Sequence, residues 1–203
     1  MKQITRIVLT GGPCSGKSTF MDLALEYFTK KGYVVLVDHE AATDLITGGI
    51  SPASMEMYHF QKYCIALQLK KEELFMQAAH EIKGDKVLVF YDRAILDDKG
   101  YVTPDDFKEI LSTFDMKEEE LIDRYDLILH LTTRAKSKAE EFSNETNAGR
   151  YENASEACLV DDTILLSWSV HPNHVIIEGE DNFDLKMQKT INAIETYLKG
   201  ISD

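Results

Sequence analysis

The stretch Ile4-Thr5-Arg6-Ile7-Val8-Leu9-Thr10-Gly11-Gly12-Pro13-Cys14-Ser15-Gly16-Lys17-Ser18-Thr19 decides how this chain is read. Its first seven residues are a mostly apolar, β-branched run of the kind that forms a strand. Gly11 to Ser18 then fit glycine, four free positions, glycine, lysine, and serine or threonine. At average composition this pattern arises by chance in about one chain of this size in a hundred. The flanks count against chance, because Thr19 to Lys31 read as a helix closed by Gly32.

Strand, glycine-rich loop and helix, in that order, suit a polyphosphate. Glycines let the backbone turn tightly and bring its N–H groups to phosphate oxygens. The helix N-terminus adds the positive end of its dipole. On this reading Gly11, Gly12, Pro13, Cys14, Ser15, Gly16, Lys17, Ser18 and Thr19 hold the phosphates of a nucleoside triphosphate. Lys17 reaches the β- and γ-phosphates, and the Ser18 hydroxyl ligates Mg²⁺. Cys14 sits inside this positive loop and reads as an oxidation liability rather than a catalyst.

Composition narrows the partners. The 203 residues carry a net charge of −13, which argues against long nucleic acid. No apolar run reaches the length of a membrane span. The chain opens on a strand-like segment, so no signal peptide is expected. Cys14, Cys64 and Cys158 show neither a disulfide framework nor a zinc pattern, which points to a reducing cytoplasm.

Five apolar runs read as buried parallel strands: Ile4–Leu9, Tyr33–Val37, Lys86–Tyr91, Tyr125–Leu131 and His174–Ile177. Helical stretches alternate with them, which predicts one α/β domain over residues 1–203, with a doubly wound sheet. Ser51-Pro52 marks the start of a long helix running through Phe60, Tyr63, Cys64, Leu67 and Leu74. Thr103-Pro104 opens two shorter helices. A helix is expected around Ser155–Val170, and another over Phe183–Lys199. The polar segment from Arg134 to Tyr151 is the expected lid over the phosphates, carrying Arg134 and Arg150.

The remaining candidate chemistry sits at strand ends, where parallel sheets hold ligands. The third strand runs into Asp92-Arg93, and an apolar strand ending in an acid suits a Mg²⁺ contact. Arg93 offers a planar fork for phosphate or carboxylate. The second strand ends Asp38-His39-Glu40; Glu40 is the preferred general base, with Asp38 second. Gln61 on the long helix can read a nucleobase or carboxamide edge, while the nearby Phe60 and Tyr63 read as core. Arg134 and Arg150 can meet charge that develops during phosphoryl transfer.

The ordered set Gly11–Ser18, Phe60-Gln61, Asp92-Arg93, Arg124-Tyr125-Asp126, Asn147, Arg150, Glu156-Ala157, Trp168 and His171-Pro172 covers most of the chain. It resembles the P-loop ATPase/kinase domain family that includes the ribosylnicotinamide kinase part of NadR and the TRPL translocation defect proteins. The resemblance implies a three-layer P-loop NTPase fold with strand order 2-3-1-4-5. It also implies ATP or GTP with Mg²⁺ at Gly11–Thr19 and Asp92, under an arginine-bearing lid. Phe60-Gln61 on a long helix is similar to the base-reading helix of deoxynucleoside kinases. The Glu-Pro those kinases carry after the second strand is replaced here by Asp38-His39-Glu40-Ala41.

Two functions follow as expectations. The first is a kinase moving the γ-phosphoryl of ATP to a small nucleoside- or nucleotide-like acceptor. The second is a nucleotide-dependent regulatory NTPase acting on a protein or lipid partner. Asp97-Asp98-Lys99-Gly100 superficially fits a GTPase switch, but no Asn-Lys-x-Asp accompanies it.

Overall fold

Five strands pair in parallel in the order β2-β3-β1-β4-β5. They are β1 (Gln3–Thr10), β2 (Val34–Asp38), β3 (Lys86–Asp92), β4 (Leu127–Leu131) and β5 (His174–Ile177). This is the order the resemblance implied. The computed structural model describes residues 2–137, 153–179 and 182–201.

Side-chain alternation explains the layers. Along β1, Ile7 and Leu9 enter one apolar cluster while Val8 enters the other; on β3, Leu88 and Phe90 separate likewise from Val87, Val89 and Tyr91. Both faces of the central strands are therefore apolar, and both must be covered. Helices α1 (Lys17–Lys30) and α8 (Phe183–Gly200) cover the first face through Phe20, Phe28, Met187 and Ile194. The second face is covered by α3 (Met57–Glu81), α4 (Pro104–Ser112), α5 (Glu119–Ile122) and α7 (Ala154–Trp168), with a 3₁₀ turn over Ile95–Gly100. Two short helices, α2 (Ala41–Thr47) and α6 (Arg134–Ser137), follow β2 and β4.

Local chemistry sets several boundaries. Thr103 caps α4, its hydroxyl accepting from Asp106 N at 3.2 Å, with Pro104 at the first helical position. Asn153 caps α7 in a reciprocal box: its Oδ1 takes Ser155 N and Glu156 N at 3.0 Å, and Glu156 Oε2 takes Asn153 N at 2.8 Å.

Three expectations need correction. The long helix begins at Met57, not at Ser51-Pro52, because Ser51 is used up in a local turn. Its hydroxyl accepts from Ala53 N at 3.2 Å and its carbonyl from Ser54 N at 3.0 Å. Tyr63 is 48% exposed and not core, whereas Phe60, one turn earlier, is buried. β4 begins at Leu127 rather than Tyr125. There Asp126 takes Arg6 N at 2.7 Å and pairs with the Arg6 guanidinium, and the Tyr125 ring packs into the core 5.7 Å from Trp168.

Candidate functional site

The loop after β1 is shaped by what surrounds it. Gly11 has φ +121°, and a Cβ there would lie 2.2 Å from the Leu131 carbonyl oxygen at the end of β4. Gly12 lies so close to α7 that a Cβ would meet the Asp161 Cβ at 2.9 Å. No larger residue fits at either place without moving backbone. Gly12 N donates to Asp161 Oδ1 at 2.6 Å. Asp161 is fully buried, lies 3.2 Å from His130 Nε2, and takes Lys136 at 2.6 Å on its second oxygen. From α8, the buried Lys186 donates to Ser15 O and Thr132 O, both at 2.8 Å. Burial lowers the Lys186 pKa to about 8 despite the nearby Asp161 charge. Helices α7 and α8 therefore hold the loop from two directions.

Lys17 lies inside this frame. Its Nζ donates to Gly11 O and Gly12 O at 3.0 Å and to Ser15 Oγ at 3.1 Å. Burial, reinforced by the Arg93 charge, lowers its pKa to about 8. An ammonium this poorly solvated gains by meeting an anion. Ser18 and Thr19 stay exposed at the start of α1.

β3 delivers Asp92 beside the loop, in register with Leu9. Arg93 then turns into the left-handed region at φ +72°, a strained conformation for a residue with a side chain. The turn aims its guanidinium back into the site. Arg93 Nε donates to Glu40 Oε1 at 2.6 Å, and Nη1 donates to Gly11 O at 3.1 Å. Glu40 precedes α2 and also accepts from Thr43 Oγ1 at 2.6 Å. Burial pushes Glu40 up, but the charges of Arg93 and Lys17 outweigh it and hold the carboxyl below its ordinary range. Asp92 goes the other way, raised by burial and by the neighbouring Glu40.

These side chains open onto one cavity of about 510 Å³, within the usual range for a small-molecule site. Lys17, Ser18, Glu40, Gln61, Asp92 and Arg93 all line it, so the structure brings together most of the residues selected from sequence. Asp38 does not line it; its Oδ1 pairs with Lys71 Nζ at 2.9 Å. Arg134 is exposed at the start of α6 and does not line the cavity. Arg150, with residues 138–151 of the expected lid, lies outside the described residues.

Sequence reasoning missed Gln68 and Asp98, both buried and both in the cavity wall. The signal for Gln68 was present. The buried residues Gln61, Cys64, Gln68 and Glu72 recur at helical spacing, so polar groups occupy the inward stripe of α3. Asp98 belongs to the 3₁₀ turn, where the neighbouring Asp97 is fully buried. Asp97 Oδ2 accepts from Thr10 Oγ1 at 2.7 Å and Oδ1 from Trp168 Nε1 at 2.6 Å. That network makes this segment a structural turn.

A divalent cation suits the donor set. Asp92 Oδ1 is buried without a hydrogen-bond partner among the described residues, and it shares the cavity with the Ser18 hydroxyl. No group of three or more acidic, histidine or cysteine side chains that would cage a metal occurs among the described residues. One carboxylate and one hydroxyl match the way Mg²⁺ is usually held, with phosphate oxygens and water completing its shell.

A glycine-rich cradle after the first strand of a parallel 2-3-1-4-5 sheet, with an acid at the end of the adjacent strand, defines a P-loop NTPase-type nucleotide-binding domain. A family model described as AAA domain matches residues 6–184, and the chain belongs to that family. A search of curated proteins found no match. No helix among the described residues is long and apolar enough to cross a membrane.

Proposed function

We propose that this chain is a small-molecule kinase, moving the γ-phosphoryl group of ATP to a nucleoside- or nucleotide-like acceptor within one catalytic domain. One observation carries the reading: the cavity that begins at the phosphate loop continues past Glu40, Asp92 and Arg93 to Gln61 and Gln68 on α3. A site that only hydrolysed a nucleotide would have no evident use for the buried amides of Gln61 and Gln68 in that wall. The resemblance to the ribosylnicotinamide kinase part of NadR points the same way.

In this reading Gly11–Thr19 cradle the phosphates, and Lys17 leaves its loop carbonyls for the β- and γ-phosphates. Ser18 and Asp92 hold Mg²⁺, which when bound neutralises phosphate charge. Glu40 orients the acceptor hydroxyl and receives its proton. Because phosphoryl transfer is loose and the proton moves late, an acid kept weakly basic by Arg93 is adequate. Arg93 fixes Glu40 in place, Gln61 contacts the acceptor, and Arg134 and Arg150 meet the developing charge from the lid. Asp38 is set aside as the base because, unlike Glu40, it does not line the cavity.

The test is turnover of ATP with a panel of nucleosides and nucleotides. Acceptor-dependent ADP release, lost in Glu40→Gln, supports the kinase. ADP release unaffected by every acceptor turns the reading to a regulatory NTPase with a protein or lipid partner.

A further inference from the structure

The acceptor end of the cavity has its own chemistry. Gln61 Oε1, Gln68 Oε1 and Asp98 Oδ2 are buried oxygens with no hydrogen-bond partner among the described residues. The three residues are only 4%, 8% and 4% exposed, and all three line the cavity. Gln61 and Gln68 stand two turns apart on α3, about 10 Å along the helix axis. A buried acceptor left unpaired is costly, so each of these oxygens favours a donor brought by a ligand.

Charge adds a second constraint. The cations in the described lining are Lys17 and Arg93. Lys17 belongs to the phosphate loop, and Arg93 is engaged by Glu40 and Gly11 O. Glu40, Asp92, Asp98 and Glu156 supply four carboxyl groups to the same wall. An acceptor already bearing a phosphate would meet the Glu40 carboxylate, while the two cations of the described lining are already engaged.

Resting on the kinase reading, we infer that Gln61, Gln68 and Asp98 form an acceptor subsite for an uncharged, donor-rich molecule of nucleoside size. Such a molecule carries at least two N–H or O–H groups besides the hydroxyl that is phosphorylated. The subsite discriminates against the same molecule once it is phosphorylated. It favours donors because the atoms it leaves unpaired are oxygens, and removing a donor from the ligand strands one of them.

The experiment measures equilibrium binding to the full chain loaded with Mg²⁺ and a non-hydrolysable ATP analogue. The probes are adenosine, guanosine and cytidine, their 5′-monophosphates, and the forms of adenosine and cytidine dimethylated on the exocyclic nitrogen. At least one nucleoside is expected to bind at least about tenfold tighter than its monophosphate and, for adenosine or cytidine, than its dimethylated form. Gln68→Leu and Asp98→Leu are each expected to weaken that nucleoside about tenfold or more. Affinity for the ATP analogue should stay within about twofold, which also shows that the variants are folded. The inference is overturned if no nucleoside binds, if a monophosphate binds as well as its nucleoside, or if both variants bind the nucleoside unchanged. Labelled-phosphate transfer is scored separately. Binding without transfer upholds the subsite and removes the kinase; transfer to a phosphorylated acceptor upholds the kinase and removes the subsite's selectivity.

Discussion

Arg93 Nε donates to Glu40 Oε1 at 2.6 Å, joining the end of β3 to the start of α2 beside the phosphate loop. The same guanidinium donates to Gly11 O at 3.1 Å, so one side chain sets both the loop and the candidate base. This arrangement makes Glu40 a charged, fixed hydrogen-bond acceptor rather than a freely titrating group.

Glu40→Gln keeps the shape and one acceptor oxygen but removes the charge. It should cost about 1–3 kcal/mol of stability, because Arg93 stays buried with a weaker partner. Transfer should fall about a hundredfold or more, with the KM for ATP changed little. Denaturant titration and steady-state kinetics check the two parts.

Lys17 is buried, and its charge is poorly solvated without a phosphate. Lys17→Met should therefore leave the unliganded protein within about 1 kcal/mol of wild type. The rise in melting temperature produced by saturating ATP and Mg²⁺ should shrink or vanish. Melting curves with and without nucleotide measure both effects.

Asp97 is the buried link between Thr10 on β1 and Trp168 on α7. Asp97→Ala strands the Trp168 N–H and the Thr10 hydroxyl in the core. It should destabilise by about 2–4 kcal/mol. If the change in unfolding free energy is below about 1 kcal/mol, the structural role given to this turn is wrong.

His174 on β5 has its Nε2 buried without a hydrogen-bond partner among the described residues, and its ring lies 6.0 Å from that of His130. Burial, then the nearby His130 and His171, lowers its pKa to about 4. The unfolded chain binds a proton near pH 6.5, whereas the folded chain does so only near 4. Stability from the neutral ring is thus present above about pH 6.5 and is lost as pH falls toward 4. The ring is partly exposed, so the loss should be about 1–2 kcal/mol. His174→Phe should flatten that part of the stability profile between pH 7 and pH 4.5, as read by urea midpoints.

Much of this architecture was legible in the residues. β1, the loop and α1 obey a motif in which each position has a physical duty, and the alternation of strand and helix led to the doubly wound sheet. Asp92-Arg93 was legible because strand ends in parallel sheets face the ligand. What was not legible depended on partners distant in sequence. Asp38 and Glu40 lie two residues apart, and only the fold decides that Lys71 takes one and Arg93 the other. Ser51-Pro52 has the residues of a helix start, but Ser51 closes a turn on Ala53 and Ser54 instead. Asp161 on α7 holds Gly12 from across the chain, and its only trace in sequence is a carboxylate on the apolar stripe of Ala157, Ile164 and Trp168.

The most direct measurement follows the γ-phosphate itself, by ³¹P NMR of ATP and Mg²⁺ turned over with the nucleoside panel. The account predicts a phosphomonoester signal that grows with ADP for at least one nucleoside and is absent with Lys17→Met. Inorganic phosphate as the only product, whatever acceptor is supplied, would contradict it.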